Sequence, residues 1–170
     1  LGPGSRIFGA VIGAGTDTLQ LGGTGKDTFF LSDIGAGQQY DGFTIFNKVD
    51  SSTWTVTGIG NQDWNVLGGT FIVQGVINGN VTVAAGGTLS GEGEIGSAII
   101  NGGTLAPGNP TGTFTVNGSL TMTTASTYMV QISGSENGFT AVAGTATLNG
   151  ATVVAVPVGT VHQPHERRLA

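Results

Sequence analysis

One hundred and seventy residues give room for one domain with a sizeable core. Gly fills 32 positions with no three-residue period, which rules out collagen, and the absence of Cys removes disulfides, thiolate catalysis and Cys-ligated zinc. Only 9% of residues are charged, the net charge is −5, and no Lys or Arg stands between Lys48 and Arg167, which argues against a nucleic-acid partner and against an anionic membrane surface.

Val, Ile, Thr and Gly dominate while Lys, Glu and Arg are scarce, a balance that disfavours helices and favours strands with tight turns. No apolar run of about 18 residues and no signal peptide is visible. Residues 1–5, Leu-Gly-Pro-Gly-Ser, read as the remnant of a cleaved tag. Residues 6–66 read as a first set of β coils and 67–157 as a repeat-bearing end. Residues 158–170 read as a disordered or vector-derived tail, because His162-Gln163-Pro164-His165-Glu166-Arg167-Arg168 breaks the composition of everything before it.

The first strands fall at Thr18–Leu21 and Thr28–Leu31, each after a Gly-rich turn. Gly22 to Phe30 fits the nonapeptide G-G-x-G-x-D-x-U-x of calcium-binding β-rolls, and Gly13 to Leu19 fits it apart from the first Gly. Read that way, Asp17 and Asp27 offer hard carboxylate oxygens to calcium. The copies are offset by 10 residues and there are only two of them, so the preferred reading is a plain Gly-Asp corner with no cofactor.

Ser32–Asp50 carries Phe43, Ile45 and Val49 on one parity and Phe46 and Lys48 on the other. Trp54 with Val56, and Trp64 with Val66, alternate as strands with one buried face. The two Trp residues are candidate sugar-stacking platforms, but core or cap residues whose indole N–H finds a partner are the commoner arrangement. Phe71/Val73, Val81/Val83 and Phe114/Val116 are further period-2 pairs, and Leu89, Ile95, Ile99 and Leu105 mark shorter strands.

The regular core of the pattern is Gly-Gly-Thr followed by an apolar residue, at Gly68–Phe71, Gly86–Leu89 and Gly102–Leu105, with starts 18 and then 16 residues apart. A period of about 20 residues marks a solenoid, in which each repeat cannot bury its apolar face alone. Asn-Gly pairs at 78, 101, 117, 137 and 149 would signal hairpins in isolation, but one Gly-Gly-Thr per longer unit favours coils of short strands joined at corners. The residues expected to carry folding and stacking are Gly86, Gly87, Leu89, Gly103, Leu105, Pro107, Gly108, Asn109, Trp54 and Trp64. The longer apolar stretches Ser119–Ile132 and Phe139–Val156 are expected to form a terminal element that covers the last open edge.

Catalytic constellations are thin. Glu92 and Glu94, two apart, form the one candidate acid/base pair, with solvated edge residues as the simpler reading. No G-x-S-x-G occurs, both His lie in the tail, and no Gly-rich segment runs into Lys-Ser or Lys-Thr. The expectation is a chain without enzymatic activity.

Three segments resemble the C-terminal passenger region of bacterial type V autotransporters. Gly69 through Gly96 is similar to the passenger-associated repeat. Gly103-Thr104-Leu105-Ala106-Pro107-Gly108-Asn109 through Val116 is similar to the family's Leu-Ala-Pro-Gly-Asn segment, and Ala143–Gly150 to the strand closing the passenger before its membrane barrel. The resemblance runs from about Gly13 to Pro157. It implies an all-β fold, a right-handed parallel β-helix with a C-terminal capping, autochaperone-like element. It also implies display on the bacterial surface or secretion across the outer membrane. The implied partners are the rest of the passenger, its outer-membrane barrel and an unidentified host-surface or extracellular-matrix ligand.

Overall fold

A computed structural model describes residues 1–158, and the expectation for the tail lies outside these apart from Val158. The described chain is all-β, with one short 3-10 turn at Leu31–Asp33. Nineteen strands, numbered in chain order, fall into a parallel sheet and a mixed sheet.

The parallel sheet contains β1 (Val11–Leu21), β3 (Tyr40–Lys48), β6 (Trp64–Val66), β9 (Val81–Ala84), β12 (Ala98–Asn101), β15 (Leu120–Met122) and β18 (Ala146–Thr147), in that order. The mixed sheet has two arms. One runs β2 (Lys26–Phe30), β4 (Thr53–Thr57), β7 (Gly69–Val73), β10 (Gly87–Gly91), β13 (Thr104–Pro107) and β16 (Thr127–Ser133), with β19 (Thr152–Pro157) added beside β16. The other runs β5 (Ile59–Gly60), β8 (Val76–Ile77), β11 (Glu94–Ile95), β14 (Gly112–Val116) and β17 (Glu136–Val142). The arms join where β16 and β17 meet antiparallel, Ile132 opposite Asn137 and Ser133 opposite Glu136. All other strand pairs are parallel.

From β3 onward each circuit of the chain contributes one strand to each of these three stacks, so every strand pairs with the one three places later. Parallel neighbours require a long crossover between them, and here two further strands and their corners supply it. The pairing runs across positions 66 and 67 without a break, since β6 bonds both β3 and β9.

Rows of identical or like residues follow from this register. On the inner side, Trp54, Phe71, Leu89 and Leu105 stack in one row, and Trp64, Val81, Ala98 and Leu120 in another. All eight are buried. A third row holds Ile77, Ile95 and Val116. Side chains alternate across a strand, so the next residue generally points away from the core, although Ser90 and Ala106 are buried there as well. Around Trp64 the core is aromatic, with ring centroids 5.5 Å to Phe46, 5.0 Å to Phe71 and 6.4 Å to Phe29. From β9 onward it is mainly aliphatic, with Phe114 as its one fully buried ring.

The structure decides two faces that the sequence left open and corrects one corner. In β3 the buried parity is Phe46 and Lys48, while Ile45 is 45% exposed, because Phe46 shares its row with Trp64 and Lys48 with Val66. Ile99 faces out and Ile100 takes the core position, in the row of Val83 and Met122. Asn137-Gly138 is not a corner but lies inside β17, where Gly138 pairs with Gly112.

The expected terminal cover is also absent among the described residues. β16, β17 and β19 are indeed longer strands. Tyr128 of β16 and Val142 of β17 are half-buried against the core, but beyond them Val153 of β19 is 58% exposed, and Ala146 of β18 and Leu148 just after it are exposed too. The longer strands extend the stack instead of roofing it, because β18 and β19 continue the parallel rows below β15 and β16.

Candidate functional site

Of the residues expected to carry stacking, Trp54 lies in β4 and Trp64 in β6, and the others lie in or beside β10 and β13, which continue the stack from β7. Their Gly-Gly-Thr repeats stand in register: Gly69 pairs with Gly87, Thr70 with Thr88, Thr88 with Thr104, and Phe71, Leu89 and Leu105 follow in the next row. The Thr row extends to Thr53 above and to Thr127 and Thr152 below. Gly86 turns the chain in the left-handed region at φ 87°. Gly103 is required by close approach, since a Cβ there would sit 2.6 Å from the Ala84 carbonyl oxygen and 2.6 Å from Val83 Cγ1.

Leu105, Ala106, Pro107 and Gly108 are all buried, and Asn109 is exposed beyond them. Gly108 folds this segment back on the previous circuit. Its N–H donates to the Gly91 carbonyl (2.8 Å), and its own carbonyl accepts from Gly91 N–H (3.0 Å) and from the buried Ser90 Oγ (2.8 Å).

Both indoles are buried, so neither offers a face for sugar stacking. Trp54 Nε1 donates to the Gly22 carbonyl at 3.2 Å. Trp64 Nε1 is buried without a partner, against the expectation that it would find one. Its ring sits among Phe29, Phe46 and Phe71.

Asp17 and Asp27 lie in different sheets, on β1 and β2. The Asp17 carboxylate accepts from Ala14 N–H, and that of Asp27 accepts from Gly4 N–H (2.7 Å) and Thr28 N–H (2.8 Å). Asp17 thus closes a local turn, whereas Asp27 ties the N-terminal segment to β2. No cluster of three or more His, Asp or Glu able to hold a metal ion occurs among the described residues. Glu92 and Glu94 do not share a strand: Glu92 sits on the bend after β10 and Glu94 opens β11, both exposed. Glu94 accepts from Asn117 Nδ2 at 3.4 Å.

The site that sequence reading missed is Lys48. Its side chain is 0% exposed and has no carboxylate partner. Nζ donates instead to the carbonyls of Val49 (2.8 Å), Gly68 (2.9 Å) and Asp50 (3.4 Å), tying one circuit to the next. The second Gly of the first repeat makes room for it, because a Cβ on Gly69 would lie 2.7 Å from Nζ. Burial lowers the Lys48 pKa below the usual value, with Asp50 opposing that shift. The signal was present in sequence: Lys48 shares the parity of Phe46, two residues before it.

At the N-terminal end, residues 1–8 lie across the first circuit. The Leu1 ammonium donates to the Gln20 carbonyl (2.6 Å) and the Leu1 carbonyl accepts from Gly22 N–H (2.8 Å). That is the bonding of a parallel neighbour to Leu21, so Leu1 occupies the row of Leu21, Lys48 and Val66. Beneath this cover is a cavity of about 270 Å³ with Arg6, Asp27, Asp33, Gln39 and Tyr40 on its wall. Burial, followed by the Asp33 charge, raises the Tyr40 pKa.

The chain matches no protein-family model, no curated protein and no solved structure. No helix of the described residues is long and apolar enough to cross a membrane.

Proposed function

We propose that the chain is a non-enzymatic segment of a secreted or surface-displayed bacterial autotransporter passenger. On this reading its circuits are coils of a right-handed parallel β-helix stalk that supports passenger folding and translocation and contributes to adhesion. The observation that carries the reading is the in-register Gly-Gly-Thr row across β7, β10 and β13, continuous with Thr53 above and Thr127 below. Stability in such a stack is close to a sum over circuits and their interfaces, so a well-matched run of rows can fold first and template its neighbours.

The test is refolding. After dilution from urea the chain should regain its β circular dichroism unaided. It should also raise the refolding yield of the coils encoded upstream in its precursor, supplied as a separate polypeptide. A chain that refolds but leaves that yield unchanged removes the folding role. A disordered or helical spectrum removes the whole reading.

A further inference from the structure

Three Asn-Gly pairs lie inside the stack with a circuit on either side: Asn78-Gly79, Asn101-Gly102 and Asn117-Gly118. Each follows a buried β-branched residue, Ile77, Ile100 or Val116, and each Asn is exposed. Local sequence and exposure therefore do not tell them apart. The glycine N–H does. That of Gly102 donates to Thr123 Oγ1 (3.2 Å) and Ser126 Oγ (3.1 Å), and that of Gly118 to the Gly96 carbonyl (2.6 Å). The residues flanking Gly79 are held as well, Asn78 N–H by the Gly60 carbonyl (2.8 Å) and Asn80 N–H by Asp63 Oδ1 (2.6 Å). The Gly79 N–H between them has no acceptor among the described residues. The Asn78 side chain is tied only by Nδ2, which donates to Asn61 Oδ1 at 2.7 Å on the exposed surface, where water can take over the bond.

We propose that Asn78 is a site of spontaneous covalent modification, closing to a succinimide with Gly79 ahead of the other two stacked pairs. The Gly79 nitrogen gives its proton to hydroxide and attacks Asn78 Cγ. The N–Cγ bond forms, the Cγ–Nδ2 bond breaks, and Nδ2 leaves as ammonia after taking a proton from water. Water then opens the ring at either carbonyl, giving aspartate or isoaspartate. Glycine has no Cβ to hinder the approach. At Gly102 and Gly118 a hydrogen bond must break before the nitrogen is free to react, which slows those sites about fivefold or more. The product carries one added negative charge on the corner between Ile77 and Val81, and isoaspartate also lengthens the backbone there by one carbon. The inference does not depend on the passenger reading.

The test is a time course of the folded chain in mildly alkaline buffer, digested with pepsin in acid and mapped by mass spectrometry. Asn78 should convert at least about fivefold faster than Asn101 and Asn117. Its product should contain isoaspartate, detected by enzymatic methylation. In urea the three rates should draw level, because the local sequences match. Hydrogen exchange of the folded chain gives an independent reading: the Gly79 N–H should exchange faster than those of Gly102 and Gly118. Conversion of Asn101 or Asn117 as fast as Asn78, an Asn78 lead that persists in urea, a product without isoaspartate, or a Gly79 N–H as protected as the other two would each overturn the inference.

Discussion

The two ends of the stack solve the same physical problem in opposite ways. Any run of parallel circuits exposes one apolar cross-section at each end. At the N-terminal end an irregular segment lies over the section, Leu1 extends a core row, and the rings of Phe29, Tyr40, Phe46, Trp64 and Phe71 fill the interior beneath. At the C-terminal end of the described residues the last core rows carry the exposed aliphatic residues Ala146 and Val153. Depth from an open end, more than residue type, therefore sets what each core side chain contributes.

The largest effect that follows is at Trp64. Trp64→Ala removes the ring shared by three aromatic neighbours and should destabilise the chain by about 3–5 kcal/mol. Val153→Ala, in an inner row but at the open end, should change stability by less than about 0.5 kcal/mol. Urea denaturation of the two variants checks the pair. Equal losses would show that the C-terminal end is as well covered as the N-terminal one. Next in size is Gly103→Ala, whose added carbon meets the Ala84 carbonyl and Val83 inside the regular stack, at a cost of about 1–3 kcal/mol. The same change at Gly86 meets no atom within 4 Å and pays only the left-handed strain, about 1–2 kcal/mol.

The contrast between ends also explains what was legible in the sequence. Period-2 pairs such as Phe71/Val73 and Val81/Val83 disclosed their inner faces correctly because each has a matching residue directly above and below. The Gly-Gly-Thr spacing disclosed which segments share a row. In β3 the sequence left the two parities open, and the buried pair is Phe46 and Lys48 while Ile45 points out. No local pattern reveals that Lys48 would be met by carbonyls from residues 49, 50 and 68. The terminal cover was misjudged for a similar reason. Strand length is local information, whereas covering an edge depends on whether the strand crosses the section or extends it.

Lys48 supplies a prediction of intermediate size. Lys48→Met leaves buried carbonyls without their donor but also removes a buried charge. The lost hydrogen bonds outweigh the relief, because a buried acceptor left unpaired costs about 1–3 kcal/mol. The variant should therefore be less stable at neutral pH. Its pH dependence provides a sharper reading. The folded-state pKa of Lys48 lies below its ordinary value of 10.5, so through that window the unfolded chain binds more protons. The Lys48 contribution to stability must then rise with pH, and the rise should vanish in Lys48→Met. Tyr40 works the other way. Its pKa is raised above 10.0, so the stability it lends is complete below that value and is lost as pH climbs through the folded one. Both chains are thus best compared on a Tyr40→Phe background; an identical alkaline slope with and without Lys48 would show that the ammonium is not held in the core.

The smallest effect probes the N-terminal cover itself. Hydrogen bonds from Gly4 N–H and then Thr28 N–H, with the Arg6 charge adding less, hold the Asp27 pKa below its usual 3.8. A depressed carboxyl contributes stability that is present above its unfolded pKa and disappears as pH falls through the folded one. The group is open to solvent, so the contribution stays below about 1 kcal/mol. Asp27→Asn should flatten that part of the acid limb of stability against pH. It should also speed hydrogen exchange at Gly4, whose N–H loses a charged acceptor, while exchange in β13 stays as it was. An acid limb and Gly4 exchange both unaltered by the substitution would mean that the cover is held by Leu1 alone. The difference between the two ends would then rest on one core row and not on a network.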